Sequence, residues 1–214
     1  MGSAILEAVC DRQSRGYTLA VTVSFSGLVA YISSIQQIVF DAFHDGRYIG
    51  LVFASIAAPM ALASWLNSRV VGRFGLRRVG HSASLAMALI TAVHALCALS
   101  GIETLPLFIV FQGLTMASFA FTSSNLGTLA MENMAPIAGT ASSVQGMVGT
   151  IGASVIGFII GQQFDGTPLP FIIGTAFCSA GGFILIVLTE PKRLFARIGR
   201  SRPDSFPAVP EETV

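Results

Sequence analysis

Apolar residues fall along this chain in six long blocks separated by short polar breaks. The blocks run near Thr18–Phe43, Tyr48–Val71, Ser82–Leu99, Leu105–Ala130, Ala138–Phe164 and Pro168–Thr189. Each has about the length that a helix needs to cross roughly 30 Å of hydrocarbon. Barrel strands would be about half as long and would alternate polar with apolar residues, so a β-barrel is excluded. The breaks DAFHDGR, VGRFGLRRVGH, SGIET, MENMAPIA and QFDGTP leave room only for tight turns, which makes successive helices antiparallel. Pro106, Pro136, Pro168 and Pro170 stand where helices begin and a missing N–H is harmless, whereas Pro59 lies deep inside the second block and predicts a kink there. In the fifth block, small residues recur at every fourth position, Gly149, Ala153, Gly157 and Gly161. On a helix they stack into a smooth ridge against which a second helix can press closely. A second small-residue line, Gly139, Ser142, Ser143 and Gly146, continues it.

Composition places these helices in lipid. Of 214 residues, 53% are hydrophobic and only 11% charged, with a mean hydropathy of +0.73, where soluble domains carry about 25% charged residues. The pattern predicts an all-α membrane protein, a six-transmembrane-helix bundle over residues 17–190, with an N-terminal segment 1–16 and a disordered tail 191–214 rich in proline. Charge then sets orientation. Arg12 and Arg15 precede the first helix, Arg69, Arg73, Arg77 and Arg78 follow the second, and Lys192, Arg193, Arg197, Arg200 and Arg202 follow the sixth. All lie on one side and Arg47 alone on the other, so both termini are predicted to be cytoplasmic. Cys10, Cys97 and Cys178 are far apart, form no metal-ligand spacing and read as small apolar fillers. The first sixteen residues carry Glu7, Asp11, Arg12 and Arg15 and have no apolar core, so no cleavable signal is predicted.

Chemistry-bearing residues are few. The run from Asn67 to Arg78 is a cationic turn whose glycines, Gly72 and Gly75, permit tight backbone geometry. Its arginines suit helix C-terminal carbonyls or lipid phosphates, or simply set topology. Uncharged polar groups concentrate on the first and fourth helices: Ser33, Ser34, Gln36 and Gln37, then Gln112, Thr115, Ser118, Thr122, Ser123, Ser124 and Asn125. Glutamines at such positions serve either an amphipathic ligand or another helix. His94 is the one ionisable residue near the middle of a span, and the expectation is a neutral ring hydrogen-bonded to a neighbour. Asp41 and Asp45 lie at the outer mouth, and no acidic residue occupies a span centre. Enzyme chemistry is not expected. The Gly152–Val155 run matches the Gly-x-Ser-x of six-helix intramembrane serine proteases, but those need a later histidine, and His44, His81 and His94 all come earlier. No phosphate loop, metal cluster or dinucleotide fingerprint is present, and the basic tail reflects topology rather than nucleic-acid binding.

The run RFGLRR resembles the signature loop of the major facilitator superfamily in its second-half copy, with Arg73, Gly75 and Arg77 on the Arg, Gly and Arg places and Arg78 completing it. Ser68 and Gly72 stand where that pattern has Gly and Asp. The run AGTASSVQG from Ala138 resembles the start of the eleventh helix of Bcr/CflA-type drug:proton antiporters. The run from Phe25 to Gln37 is similar to their seventh helix, and that from Tyr48 to Ala54 to the start of their eighth. The resemblance implies the C-terminal six-helix half of such a transporter, built as a 3+3 inverted repeat and seated in the cell inner membrane. Helices one and four would line a substrate cavity, placing Ser33, Gln36, Gln37, Gln112 and Ser118 on it. Helices two and five would meet the other half, with Gly149, Ala153, Gly157 and Gly161 as the seam. It implies alternating access, proton influx as the energy source and no cofactor. The partners expected are the lipid bilayer, a small amphipathic substrate, and either the missing N-terminal half or a second copy. The alternative is a truncated, non-transporting membrane protein that assembles with other helices or with itself.

Overall fold

The computed structural model describes residues 9–191 and 194–195. It contains six long helices: α1 Arg12–Gln37, α2 Ile49–Phe74, α3 Leu76–Leu99, α4 Leu105–Ala130, α5 Ala138–Gly161 and α6 Leu169–Thr189. All six are long and apolar enough to span a membrane, and the described residues contain no strand. The predicted tail lies outside the described residues apart from Pro191, Leu194 and Phe195. α1 begins six residues earlier than the apolar pattern suggests, because Asp11 caps it by accepting a hydrogen bond from the Ser14 N–H (2.7 Å). It runs on beyond Gln37 as a π-helical turn over Ile38–Ala42. Prolines 106 and 170 occupy the first turns of α4 and α6.

The largest departure from expectation is the second connection. The cationic loop contracts to one residue, Gly75, between Phe74 and Leu76. Its backbone (φ 86°, ψ 153°) is open only to glycine, which lets the chain reverse in a single step. Arg77 and Arg78 therefore belong to the first turn of α3 rather than to a loop.

The six helices form two triplets, α1–α3 and α4–α6, that exchange their leading helices. α1 packs on α5 and α6, and α4 packs on α2 and α3, while α1 touches α4 and α3 touches α6. Three crossings per triplet make the second triplet enter from the opposite side of the membrane, so the two are related in inverted fashion. The arrangement is that of a six-helix half of a major facilitator fold. α1 and α4 are the most covered helices, and α2 and α5 the least.

The glycine ridge corrects an expectation. Gly149, Ala153, Gly157 and Gly161 do not form a seam for another half: they face α1 inside the same bundle. Ala153 is completely buried. A Cβ on Gly157 would lie 2.8 Å from Val29 Cγ1 and 3.0 Å from the Ala30 backbone nitrogen, and one on Gly161 would lie 3.3 Å from Ser34 Oγ. Lipid offers no hydrophobic drive for helix association, so close backbone approach is the means by which α1 and α5 hold together. The second line is the one left open: a Cβ at Gly139 or Gly146 meets nothing within 4 Å. The same device recurs elsewhere. Gly182 of α6 lies against Ser24 and the Ala20 carbonyl, and Gly80 of α3 against Asn125. Gly113 of α4 makes room for Pro59, with its virtual Cβ 3.3 Å from the proline Cγ, and α2 passes through Pro59 as an unbroken α-helix.

These distances predict a graded response to alanine. Gly157→Ala should destabilise the bundle by about 1–3 kcal/mol through overpacking. Gly149→Ala, whose Cβ stays 3.9 Å from Thr22 Oγ1, should be neutral or slightly stabilising, as helix propensity favours alanine. Gly146→Ala should behave likewise. Denaturation of the micelle-embedded chain followed by circular dichroism tests this, and equal effects at all three positions would contradict the assigned packing.

Candidate functional site

Two features stand out from the lipid-facing surface: an ionic cluster at the end where α1 begins and α6 finishes, and the uncovered polar face of α1.

The cluster is organised by Arg77, which is 5% exposed. Its Nε donates to Glu190 Oε2 (2.9 Å), and its terminal nitrogens donate to Glu132 Oε1 (3.2 Å) and Oε2 (2.5 Å) and to Glu190 Oε1 (3.3 Å). Glu132 follows α4 and Glu190 follows α6, so one guanidinium at the start of α3 ties down two helix ends. The fork of N–H donors makes this possible, and a lysine could not reproduce it. α1 adds further ties. Gln13 Nε2 donates to Glu132 Oε2 (2.6 Å) and to the Leu129 carbonyl (3.1 Å), and Arg12 donates to the Leu188 carbonyl (3.0 Å). Two of these bonds reach backbone carbonyls in the last turns of α4 and α6, where Leu129 O also accepts from the Glu132 N–H. Burial pushes the Glu132 carboxyl up, but hydrogen bonds from Arg77 and Gln13 more than offset it and hold the group below the ordinary carboxylate range.

Behind Glu190 the donors and acceptors are fully determined. The Phe195 backbone N–H can only donate, and it lies 3.3 Å from His81 Nδ1. A neutral His81 ring therefore carries its proton on Nε2, 3.0 Å from the Tyr17 hydroxyl, and Tyr17 in turn donates to Glu190 Oε2 (2.9 Å). Of the signature residues, Gly75 makes the turn and Arg77 points inward, while Arg73 and Arg78 are exposed. Arg73 lies over the Phe74 ring at 5.5 Å.

The predicted ligand contacts do not form one patch. Ser33, Gln36 and Gln37 are exposed on α1, the glutamines directly before the π-helical turn. Ser33 and Gln36 continue the stripe of Phe25 and Ile32, on the side of α1 opposite Gly27, which meets Thr175 of α6. Gln112, by contrast, is 1% exposed, and its Nε2 is buried without a partner. Ser118 is half-buried about 100° round α4 from Phe119, which stacks on Phe25 of α1 (6.0 Å), so it lies away from the α1 face. A cavity of about 50 Å³ opens where α1, α4 and α5 meet, lined by Thr18, Thr22, Gly127, Gln145 and Gly149 among others.

Sequence reasoning missed the partners. Glu132 and Glu190 each close a span at the arginine-rich end, a position that is itself a signal for pairing. Asn67 of α2 and Asn125 of α4 form a buried amide pair (2.8 Å), with Asn67 also donating to Ser124 (3.1 Å). His94 finds its neighbour in Glu103. All three cysteines are free, and no metal-holding group of side chains occurs among the described residues.

The cluster predicts an order of sensitivity. Arg77→Gln takes the guanidinium away from the nearly buried Glu190 carboxylate, which keeps the Tyr17 hydroxyl, and should cost about 3 kcal/mol. Glu132→Gln, at the exposed edge, should cost about 1 kcal/mol or less. Unfolding in mixed micelles measures both, and comparable losses would show that Arg77 is not the organiser.

No family model matches the chain, and no solved structure does. Two curated proteins do match, each described as "Putative multidrug resistance protein MdtD". The one from Serratia proteamaculans (strain 568) is 28% identical over 206 residues, 87% of this chain and 41% of that protein. The one from Yersinia enterocolitica serotype O:8 / biotype 1B (strain NCTC 13174 / 8081) is 29% identical over 171 residues, 74% of this chain and 34% of its own length. The chain therefore spans about two fifths or less of the curated relatives that it matches. Six membrane-length helices in two exchanged triplets support a multi-pass membrane protein, and the curated proteins it resembles are described as multidrug resistance proteins.

Proposed function

We propose that this chain supplies one six-helix half of a multidrug efflux transporter that works by alternating access and is driven by proton influx. The observation that carries the proposal is the similarity to two multidrug resistance proteins over most of the chain. The exchanged-triplet bundle and the arginine-organised end support it. In this reading the uncovered face of α1 fronts the substrate pathway. Its side chains are uncharged, so it suits amphipathic molecules of varied structure. Ser33, Gln36 and Gln37 supply hydrogen bonds there, and Phe25 and Ile32 apolar contact. Gln112 contributes only when a rearrangement uncovers it. The broad free faces of α2 and α5 suit a second bundle, either the other half of the transporter or a second copy of this chain. With the second line of small residues, Gly139, Ser142, Ser143 and Gly146, α5 still offers a smooth surface for that contact after its ridge is spent on α1.

In this reading the Arg77 end faces the cytoplasmic side of the inner membrane, which the distribution of basic residues supports under the positive-inside rule. The finer likeness to Bcr/CflA-type antiporters rests on the motifs of the first, second and fifth helices and belongs to this proposal. The function is transport and involves no catalytic step or cofactor.

Binding and transport separate experimentally. The chain in lipid nanodiscs should bind an amphipathic cationic dye such as ethidium saturably. Gln36→Leu or Gln37→Leu should weaken that binding about fivefold, the equivalent of one hydrogen bond of about 1 kcal/mol. Vesicles containing this chain alone should show no pH-driven dye efflux. Absence of saturable binding would contradict the transport reading, and efflux by the chain alone would contradict a distinct other half and show that a second copy completes the transporter.

A further inference from the structure

At the end opposite Arg77, a second pair of ionisable groups is buried. His94, on α3, is 2% exposed, and its Nε2 lies 3.0 Å from Glu103 Oε1. Glu103 belongs to the turn between α3 and α4, and its side chain is 9% exposed. The imidazole cannot swing away freely. It lies flat on Phe111 (centroids 4.8 Å, 10° between planes) and edge-on to Phe108 (5.8 Å). The second carboxylate oxygen, Oε2, is buried with no hydrogen-bond partner.

The surroundings isolate this pair electrically. α4 and α6, the helices packed against α3, carry no Asp, Glu, Lys, Arg or His anywhere along their spans. α2 touches α3 more lightly and brings only Arg69 and Arg73, which lie in its last turns at the opposite end. The remaining charged or titratable groups at the His94 end belong to other turns. They are Asp41, His44, Asp45 and Arg47 between α1 and α2, and Asp165, whose Oδ1 accepts from Thr167 N (3.0 Å) and Oγ1 (2.7 Å). No charge from a packed helix offsets the pair, so it is neutral overall only when His94 and Glu103 together hold one proton beyond the bare imidazole and carboxylate. That proton sits either on the ring, as an imidazolium–carboxylate ion pair, or on the carboxyl. Losing it strands a buried carboxylate, and gaining a second strands a buried imidazolium. Both are costly in an apolar setting.

We propose that His94 and Glu103 form a single proton-binding site that fastens the α3–α4 turn to the bundle, so that adding or removing the shared proton unseats the turn. Glu103 lies nine residues beyond His94, so the ion pair folds the turn Ser100–Thr104 back over the last helical turns of α3. Once the pair is no longer neutral, water is a better environment for Glu103 than the aromatic pocket, and the turn is the part of the structure free to move. The inference holds whatever solute the bundle moves, since it concerns the ionisation of this chain alone.

Imidazole resonances of the ¹⁵N-histidine-labelled chain in nanodiscs test it. There are three histidines, and His44→Asn and His81→Asn identify the signal of His94. Glu103→Gln should change the pH response of the His94 signal and should leave the His44 signal unchanged. Amide exchange in residues 99–104 should quicken in the wild type at the pH where His94 changes state. It should be fast at all pH values in Glu103→Gln and in His94→Gln, which serves if the first variant folds poorly. Two results would overturn the proposal: equal titration of His94 with and without the carboxylate, or exchange in the turn that ignores the titration.

Discussion

Helices in lipid gain little from hiding apolar surface from one another, because the surrounding acyl chains are equally apolar. What remains is close backbone approach and the pairing of polar groups. The structure uses both at nearly every important contact. Gly157 and Gly161 bring α5 onto α1, Gly182 brings α6 onto it from another side, and Gly113 and Gly80 let α2 and α3 approach α4. Glycines are thus spent at the contacts of the two central helices, the most covered of the six. A methyl group at Gly157 would push against Val29 and the backbone of Ala30, and the seam has no softer element to absorb it.

Polar groups divide the bundle into ends and a face. At one end Arg77 gathers Glu132 and Glu190, and through them α1, α4 and α6. At the other, His94 and Glu103 pin a single turn. The first is a branched network that stays largely intact if its exposed member, Glu132, is lost. The second is a lone pair with no reserve, which is why it responds to a proton. Between the two ends, the free face of α1 presents hydroxyl, amide and aromatic groups without charge. The proposed role as one half of a transporter would use this combination: ends that can be fastened or released, and a middle that does not discriminate by charge.

Much of this was legible in the sequence. Six apolar blocks of membrane length, separated by short turns, specify the number and antiparallel order of the helices. The four-residue spacing from Gly149 to Gly161 specifies a ridge. Spacing alone does not say which helix meets the ridge, and here it is α1 of the same bundle. Helix rotation was equally hidden. Gln112 and Ser118 are the two predicted cavity residues on α4, yet α4 turns the first inward and the second aside. The run from Gly72 to His81 reads as a loop because it is polar and glycine-bearing, but a single glycine at φ 86° completes the reversal and leaves Arg77 on a helix. Its partners, Glu132 and Glu190, lie 55 and 113 residues away, a separation that no local pattern spans.

The central claim is that the α5 ridge closes this bundle internally. Its most direct test is disulfide formation between Thr22→Cys and Gly149→Cys in a chain whose native Cys10, Cys97 and Cys178 are replaced by serine. A Cβ at position 149 lies 3.9 Å from the Thr22 hydroxyl, within reach of a disulfide. With a protease site placed in the α3–α4 turn, the account predicts that oxidation joins the two fragments of one chain and leaves the molecular mass that of a monomer. A cross-link that appears only between two chains, at twice that mass, would show that the ridge faces outward and would contradict the account.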